Sequence, residues 1–346
     1  MKPTLDILKR ITESSKQHSE GVFTRLYRYL LREDIYYIAY KNLYANAGAA
    51  TKGIDNDTAD GFGTKYISGI IELLRNLEYK PKPVRRTYIP KHNRKLRPLG
   101  IPSFRDKLVQ DAVKQILEAI YEPIFSEDSY RFRPGRSCHT AFKRIKYGFN
   151  GTKCFIEGDI KGCFDNINHK VLLKILSDKI KDSKLINLIG SFLNAGYMEG
   201  WKYFQTYSET QQGGILSPIL ANIYLHELDK KVAEIKKRFN STERKKYTEE
   251  YAEIRRRIDT LSMRLKNHPD SPNSNDWKVE KGKLRKQLVK IPACQDNNKR
   301  MCYVRYADDF LIGVVGSKED CIAIKAELKE FLANTLKLEL STRKPR

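Results

Sequence analysis

Three aspartates are the residues of this sequence whose surroundings most favour chemistry. Asp159 follows the apolar run Cys154–Ile156, a pattern that predicts a buried strand ending at an acid. Asp308 and Asp309 lie between two further apolar runs, which predicts a β-hairpin with an acidic turn. Adjacent aspartates repel each other, and hairpin turns usually recruit Gly or Asn. A divalent cation would remove that penalty.

Carboxylates from neighbouring strands can hold two hard cations about 3.5–4 Å apart, the arrangement used for in-line phosphoryl displacement. A single Asp-Asp pair is more often a solvated turn. Here, however, residues 80–105 contain nine Lys or Arg and no Asp or Glu. Five prolines in the same segment exclude a helix and predict strands and turns that carry a basic surface. Three acids together with such a surface favour a metal site.

The composition is that of a folded protein with a polyanionic partner. The 346 residues are 40% hydrophobic, which excludes a disordered tail. They carry 65 Lys or Arg against 42 Asp or Glu, a formal net charge of +23. Nucleic acid is the commonest partner of so basic a chain. The alternative, a protein kept soluble by its charge, is disfavoured because the positive charge is clustered.

The cysteines and the absence of long apolar runs indicate a reducing compartment and no membrane association. No Cys-x-x-Cys pair occurs, so the sequence gives no zinc signature. The six cysteines are Cys138, Cys154, Cys163, Cys294, Cys302 and Cys321. Neither a signal core nor a transmembrane-length run is present. We expect a cytoplasmic protein, nucleoid-associated in a bacterium, with an organellar origin left open.

Apolar spacing predicts the elements that must position these residues. Residues 1–50 read as helical, and the Gly-rich segment 51–69 reads mainly as loop and turn. A helix is expected from about Asp106. Another is expected to start at Ser217, whose hydroxyl would cap the helix ahead of Pro218.

Residues 230–300 differ in kind from the rest. Apolar residues from Tyr247 to Leu265 recur every three or four positions, and a weaker apolar stripe follows after a polar break. We expect an inserted antiparallel helical hairpin. Over 230–290 there are 19 Lys or Arg against 9 Asp or Glu. RNA contact and self-association as a homodimer are both open roles for this segment.

Five blocks resemble those of group II intron reverse transcriptases and occur in the order of that family. They are Arg97–Pro102 (RPLGIP), Phe132–Ser137 (FRPGRS), Asp159–His169 (DIKGCFDNINH), Gln212–Pro218 (QGGILSP) and Tyr306–Asp309 (YADD). The YADD block alone would be a weak signal. The ordered set is specific, and the resemblance spans residues 50–340.

The resemblance implies an α/β (α+β) fold of the right-hand polymerase type. The implied organisation is an N-terminal helical extension (1–50), fingers (51–150), palm (151–229), an inserted basic helical hairpin (230–300) and the rest of the palm (301–346). The family continues into a helical thumb after a block resembling LSxEKT, from which Arg343 and Pro345 depart. A chain ending at Arg346 is therefore expected to lack the thumb and to extend primers weakly or not at all.

The same resemblance implies a metal site. Asp159 and Asp308 match the two metal-binding aspartates, Asp309 matches the third carboxylate, and the Ile160 carbonyl matches a backbone ligand. The implied cofactor is a pair of Mg²⁺ ions, with Mn²⁺ as a substitute.

Nucleotide-binding residues are implied in the same way. Phe164 matches the aromatic gate that leaves no room for a 2′-hydroxyl. Lys91 and Arg97 match two fingers cations that clamp a triphosphate, and Gln212 matches the residue that supports the nucleotide and template pair. Further basic residues of the fingers are expected to contact RNA: Arg85, Arg86, Arg94 and Lys95.

The implied function is RNA-directed DNA polymerisation from dNTPs, an RNA template and a DNA primer. In the family, the same protein also binds its intron RNA as a maturase and assists splicing and retrohoming. A rival hypothesis is a non-enzymatic RNA-binding splicing cofactor derived from a polymerase. The intact aspartates, Phe164 and Gln212 disfavour that rival, because a pure RNA binder has no use for a carboxylate cluster. Phe164 also disfavours an RNA-dependent RNA polymerase.

Overall fold

The computed structural model describes residues 3–45, 48, 51–55, 57–90, 96–199, 202–205, 213–241, 247–293 and 299–340. The N-terminal part is helical, as predicted. It contains α1 (Thr4–Gln17), a short 3₁₀ helix (Tyr27–Leu31), α2 (Glu33–Tyr44), α3 (Thr64–Arg75) and α4 (Phe104–Tyr121). Nearly every residue of α4 is buried, and α1 and α2 pack against it. The Ser103 hydroxyl starts α4 by accepting a hydrogen bond from the Asp106 amide.

The expectation of loop for 51–69 is wrong at its end, because α3 begins at Thr64. Four apolar residues at helical spacing are buried along this helix, and they continue beyond the Gly-rich segment. They are Ile67, Ile70, Ile71 and Leu74. The glycines that suggested loop precede the helix, apart from Gly69, which is exposed on it.

A four-stranded sheet occupies the basic, Pro-rich region, in the order β2-β1-β4-β5. Strand β1 (Val84–Pro90) pairs antiparallel with β2 (Leu96–Ile101) and parallel with β4 (Tyr197–Glu199), which pairs antiparallel with β5 (Lys202–Phe204). The prediction of strands in 80–105 is confirmed. This four-stranded sheet therefore takes strands from two distant parts of the sequence.

A second, three-stranded sheet is antiparallel throughout, in the order β3-β7-β6. Its strands are β3 (Cys154–Asp159), β6 (Arg300–Tyr306) and β7 (Asp309–Val315), so the predicted acidic hairpin is confirmed. Helix α5 (Cys138–Gly148) packs against β6. Between β3 and β4 the chain forms α6 (Cys163–Asn166), α7 (His169–Lys179) and α8 (Ser183–Leu193).

The long helix α9 (Ser217–Phe239) contacts β6, and α12 (Lys318–Asn334) contacts β3 and α9. The predicted start of α9 at Ser217 is confirmed, but its capping role is wrong. Leu216 is the N-cap residue, and its side chain makes no capping hydrogen bond. Pro218 lies in the first turn, where the backbone N–H that proline lacks would have no partner within the helix.

Residues 249–288 form two helices, α10 (Glu249–Asn267) and α11 (Ser274–Leu288), that pack against each other. Ile254, Ile258 and Leu261 are buried on α10, and an ion pair of 2.9 Å joins Arg257 to Glu280 across the pair. The apolar stripe of α10 is therefore turned towards α11. Among the helices that the structure describes, none combines the length and apolar character that a bilayer crossing needs.

Candidate active site

Strand pairing brings two of the three aspartates to one edge of the three-stranded sheet. Asp159 at the end of β3 lies directly opposite Asp309 at the start of β7, and Asp309 lies opposite Tyr306 on β6. Directly opposed residues point to the same face, with Cβ atoms about 4.5–5.5 Å apart. Asp159 is half-buried and Asp309 is exposed. Two carboxylates therefore share one face at the sheet edge.

Asp308 lies in the two-residue turn between β6 and β7, directly before Asp309 in the chain. The preceding residue, Ala307, adopts φ +59°, a left-handed conformation that costs a non-Gly residue about 1–2 kcal/mol. Burial raises the pKa of the Cys163 thiol to about 12, and the negative charge of Asp308 adds to this rise. The Asp308 carboxylate is thus close enough to the start of α6 to act on it electrostatically.

Gly158 is a site residue that the sequence analysis missed. It lies opposite Phe310, next to the Asp159–Asp309 pair, and the Phe310 ring covers it. A Cβ atom at Gly158 would lie 2.0 Å from Cζ of Phe310. Only glycine allows these two strands to pair here with the ring in place. The available signal was a glycine inside an apolar strand pattern, which often marks a close approach.

The block that follows Asp159 is held by the segment after α12. Ile160 forms an isolated antiparallel bridge with Leu340, and the Lys161 amide donates to the Glu339 carbonyl at 3.1 Å. Leu336, Leu338 and Leu340 are all buried. The alternating leucines of this segment, within the predicted palm, are a strand signal that the sequence-based prediction did not use. Residues 341–346 lie outside the described part of the chain.

Phe164 on α6 is half-buried and packs against the main core. The ring of Phe132, from the FRPGRS block, meets it edge-on at a centroid distance of 6.3 Å and an angle of 88°. Phe132 has φ +59° and is 43% exposed. The Arg131 guanidinium lies 4.8 Å from the Phe132 ring and 5.2 Å from that of Tyr306. Three sequence blocks thus converge beside the aspartates.

The implied nucleotide-clamping and RNA-binding residues are only partly within the described structure. Arg97 is exposed on β2. Arg85 on β1 donates to the Lys52 carbonyl from Nε (3.1 Å) and Nη2 (2.9 Å), and Arg86 stacks at 3.7 Å over the Tyr197 ring. The predictions for four other residues lie outside the described residues: Lys91, Arg94, Lys95 and Gln212.

The neighbour of Gln212 nevertheless locates the QGGILSP block. Gly213 has φ +108°, and a Cβ atom there would lie 2.7 Å from the Gly100 carbonyl oxygen. The Ile215 amide donates to the Gln110 side chain of α4 at 2.9 Å. The block therefore lies against β2 and α4, and the close backbone approach at Gly213 excludes a larger residue.

The donor set fits Mg²⁺ in the manner usual for this ion. In the part of the chain that the structure describes, no three His, Cys, Asp or Glu side chains gather closely enough to enclose a metal alone. Mg²⁺ commonly takes only one or two carboxylates and completes its shell with waters and substrate phosphates. Oxygen donors at the sheet edge are suited to such a hard cation. The aspartates would accordingly hold metal mainly together with a phosphate-bearing ligand.

Comparison with known proteins assigns this sequence to a family. Residues 89–252 match the family model described as reverse transcriptase (RNA-dependent DNA polymerase). The chain is 55% identical to the group II intron-encoded protein LtrA of Lactococcus lactis subsp. cremoris, over 99% of this chain and 57% of that protein. It is 41% identical to an uncharacterized 91 kDa protein in the cob intron of Schizosaccharomyces pombe, over 96% of this chain and 41% of that protein.

A shorter relative is covered more completely. The chain is 31% identical to protein YkfC of Escherichia coli, over 92% of this chain and 77% of that protein. By contrast, the matched part of the chain covers only 57% of the length of LtrA. The similarity to these relatives therefore extends over nearly all of this chain but over only about half of the two longer proteins.

Proposed function

Because this chain belongs to the family of group II intron-encoded reverse transcriptases and maturases, we propose that it copies RNA into DNA and binds intron RNA. One observation carries the polymerase part of the proposal. Asp159 and Asp309 are register partners at a sheet edge, with Asp308 in the adjoining turn. A protein that only binds RNA gains nothing from three neighbouring carboxylates, since they repel phosphate.

The proposed cofactor is a pair of Mg²⁺ ions, for which Mn²⁺ could substitute. Asp159, Asp308 and Asp309 would hold the ions, with the Ile160 carbonyl as a backbone ligand. When bound, they would lower the pKa of the primer 3′-hydroxyl and stabilise charge on the attacked phosphate. Catalysis by the chain itself would then consist of placing primer, template and dNTP against these acids.

The residues around the aspartates support selection of a deoxynucleotide. Phe164 is half-buried and braced edge-on by Phe132, so its ring cannot easily withdraw from an incoming 2′-hydroxyl. Arg97, exposed on β2, is available to a triphosphate, as are Lys91 and Gln212 by the family resemblance. A planar guanidinium suits this task because it can bind phosphate oxygens in a bidentate manner.

We also propose RNA contacts through the fingers and the helical hairpin. The fingers would contribute Arg85, Arg86, Arg94 and Lys95. On the hairpin, the apolar stripe of α10 is turned towards α11, which removes the main argument for self-association. Exposed basic residues such as Arg255 and Arg256 remain on its outer surface, and they favour RNA over a second copy of the chain.

The proposed organisation keeps the boundaries given by the sequence, with two qualifications. The proposed parts are the extension (1–50), fingers (51–150), palm (151–229 and 301–346) and insertion (230–300), although α9 continues to Phe239 within the insertion range. Strands β4 and β5 lie within the proposed palm range but belong to the four-stranded sheet, whose other strands lie in the fingers range. The proposed setting is a bacterial cytoplasm, in keeping with the bacterial relative.

The decisive experiment is primer extension on an RNA template by the full-length protein, with dNTPs and with NTPs. Asp308→Ala should abolish extension while leaving RNA affinity within about twofold, because the proposed RNA contacts lie on the fingers and the helical hairpin and not at the aspartates. Asp178→Ala, at an exposed position on α7 and outside the proposed RNA-binding surfaces, is the matched control and should behave as the wild type. Full extension by Asp308→Ala would refute the metal assignment. RNA binding without any extension by the wild type would instead support the splicing-cofactor hypothesis.

A further inference from the structure

The three-stranded sheet contains a buried arginine that the polymerase chemistry does not use directly. Arg305 on β6 lies three residues before Asp308, and its side chain is 0% exposed. A guanidinium has five N–H donors in a rigid plane. All five find acceptors: Asp229 Oδ1 (2.8 Å) and Oδ2 (2.7 Å), Ser129 Oγ (2.8 Å), Asn222 Oδ1 (3.2 Å) and the Ala307 carbonyl (3.0 Å).

The charge of Arg305 is matched inside the protein. Burial alone would raise the pKa of Asp229, but the Arg305 charge and hydrogen bonds, with a further bond from Tyr303, lower it to about 2. The same partner raises the pKa of Arg305 against the effect of its burial. The pair is therefore ionised throughout the physiological pH range, and its geometry does not vary with protonation.

Arg305 also holds, through its backbone, the loop 128–132 that leads into the FRPGRS block. Its amide donates to the Asp128 carbonyl at 2.8 Å, and its carbonyl accepts from the Tyr130 amide at 3.0 Å. Asn222, held by the Arg305 side chain, donates to the Arg131 carbonyl at 2.9 Å. The next residue of this loop is Phe132, whose ring meets Phe164. The Arg305 side chain and backbone thus contact both the aspartate turn (Ala307–Asp308) and the loop that carries Phe132.

We propose that Arg305 is a positioning residue that holds the aspartate turn and the Phe132 loop in one fixed spatial relation. On the turn, its bond to the Ala307 carbonyl offsets part of the cost of the left-handed Ala307. On the loop, Arg305 binds Ser129, and Asn222 binds the Arg131 carbonyl, so both contacts hold the residues just before Phe132. This inference rests on the proposed polymerase function, because it assigns Arg305 a role in metal binding and sugar selection.

A purely stabilising role is a weaker explanation of this arrangement. A buried ion pair is often no more stabilising than apolar residues of the same volume, since desolvation of the charges offsets their attraction. A stability role requires an acceptor for every buried N–H of Arg305, but it does not require those acceptors to lie in the segments that form the site. The bonds to Ala307, Ser129 and Asn222 join three chain segments that meet at the site, which is what positioning requires.

Arg305→Lys is the informative substitution, because it keeps the charge but has three donors instead of five. The full-length protein should retain a cooperative melt and its RNA affinity. We expect the Mg²⁺ concentration for half-maximal extension to rise about tenfold or more, the usual effect of losing a residue that orients metal ligands. Discrimination between dNTPs and NTPs should fall in the same variant. Arg32→Lys, which alters a half-exposed pair with Asp34, is the matched control and should change neither quantity.

Hydrogen–deuterium exchange gives a readout that needs no activity. Arg305→Lys should accelerate exchange in residues 128–132 and 305–309 together, and leave α3 unchanged. Ser129→Ala removes only the loop bond, so it should lower sugar discrimination and protection of 128–132 with little change in the Mg²⁺ requirement. This variant keeps the test open if Arg305→Lys does not fold.

The outcomes separate this inference from the proposed function. A wild-type protein that extends primers, with both variants unchanged in sugar discrimination, Mg²⁺ requirement and exchange, would overturn the positioning role alone. A fall in melting temperature with none of the other changes would reduce Arg305 to a stabilising residue and overturn it as well. Absence of extension by the wild type would refute the proposed function, while the exchange data would still decide whether Arg305 couples the two segments.

Discussion

Gly158→Ala should damage both the fold and the active site, because its added methyl has no space. The new Cβ atom would lie 2.0, 2.3 and 2.4 Å from three atoms of the Phe310 ring. That ring is only 4% exposed and belongs to the main core, so it cannot swing into solvent. Overpacking of this kind costs about 1–3 kcal/mol. We expect the melting temperature to fall by several degrees.

The expected loss of activity exceeds the loss of stability. Gly158 and Phe310 adjoin the Asp159–Asp309 pair, so any shift that relieves the clash moves at least one carboxylate. A displacement near 1 Å in such a site can cost about 100-fold in rate. Thermal melts and primer extension at a temperature where the variant is fully folded would measure the two effects separately.

Gly69→Ala provides the matched control for this substitution. Gly69 is exposed within α3, and a Cβ atom there would meet nothing within 4 Å. Alanine should stabilise that helix by about 0.5–1 kcal/mol. Adding Phe310→Leu to Gly158→Ala should also cost less than the two single changes together, because the smaller side chain makes room for the methyl. A Gly158→Ala protein with wild-type melting temperature and extension rate would refute the packing argument.

Three further predictions follow from single features of the chain. Phe164→Val should admit ribonucleotides and lower dNTP preference at least about tenfold in primer extension, whereas unchanged rejection of NTPs would return Phe164 to core packing. Deletion of 240–295 should leave a protein that still melts cooperatively, since α10 and α11 pack mainly on each other. The salt dependence of its RNA binding should be shallower, because basic residues are lost. A non-cooperative melt would place the segment in the core. Iodoacetamide at pH 8 should label exposed Cys138 well before Cys163, whose raised pKa keeps it protonated, and equal rates in the folded protein would contradict that burial.

Local patterns predicted the elements around the aspartates because those elements are strongly periodic. The strand before Asp159, the acidic hairpin and the start of α9 are each indicated by a pattern that spans only a few neighbouring residues. The same reasoning failed at Thr64, where glycines outweighed the apolar spacing that begins beyond them. It failed at Ser217, where a residue type suited to capping lies one position inside the helix.

The residues that the sequence analysis missed act through tertiary contacts. Arg305 appears in the sequence as one of 65 basic residues, most of which are expected on the surface. Nothing within its neighbourhood indicates that Asp229, 76 positions earlier, takes up its charge. Gly158 likewise depends on a ring from a distant strand. The domain boundaries and the roles of the metal and nucleotide ligands stay predictions.

Gly158 and Arg305 both help to fix the pairing register of the three-stranded sheet. Successive residues of a strand point to opposite faces, so a one-residue slip in pairing would turn Asp159 into the core. The covered Gly158 admits the Phe310 ring at only one register of β3 against β7. Arg305 ties β6 to α9 and to the turn that enters β7, which fixes the other side of the same sheet. The central strand, with Asp309 at its start, is thereby held between two register-setting contacts, which keep Asp159 and Asp309 opposite each other at the end of the sheet.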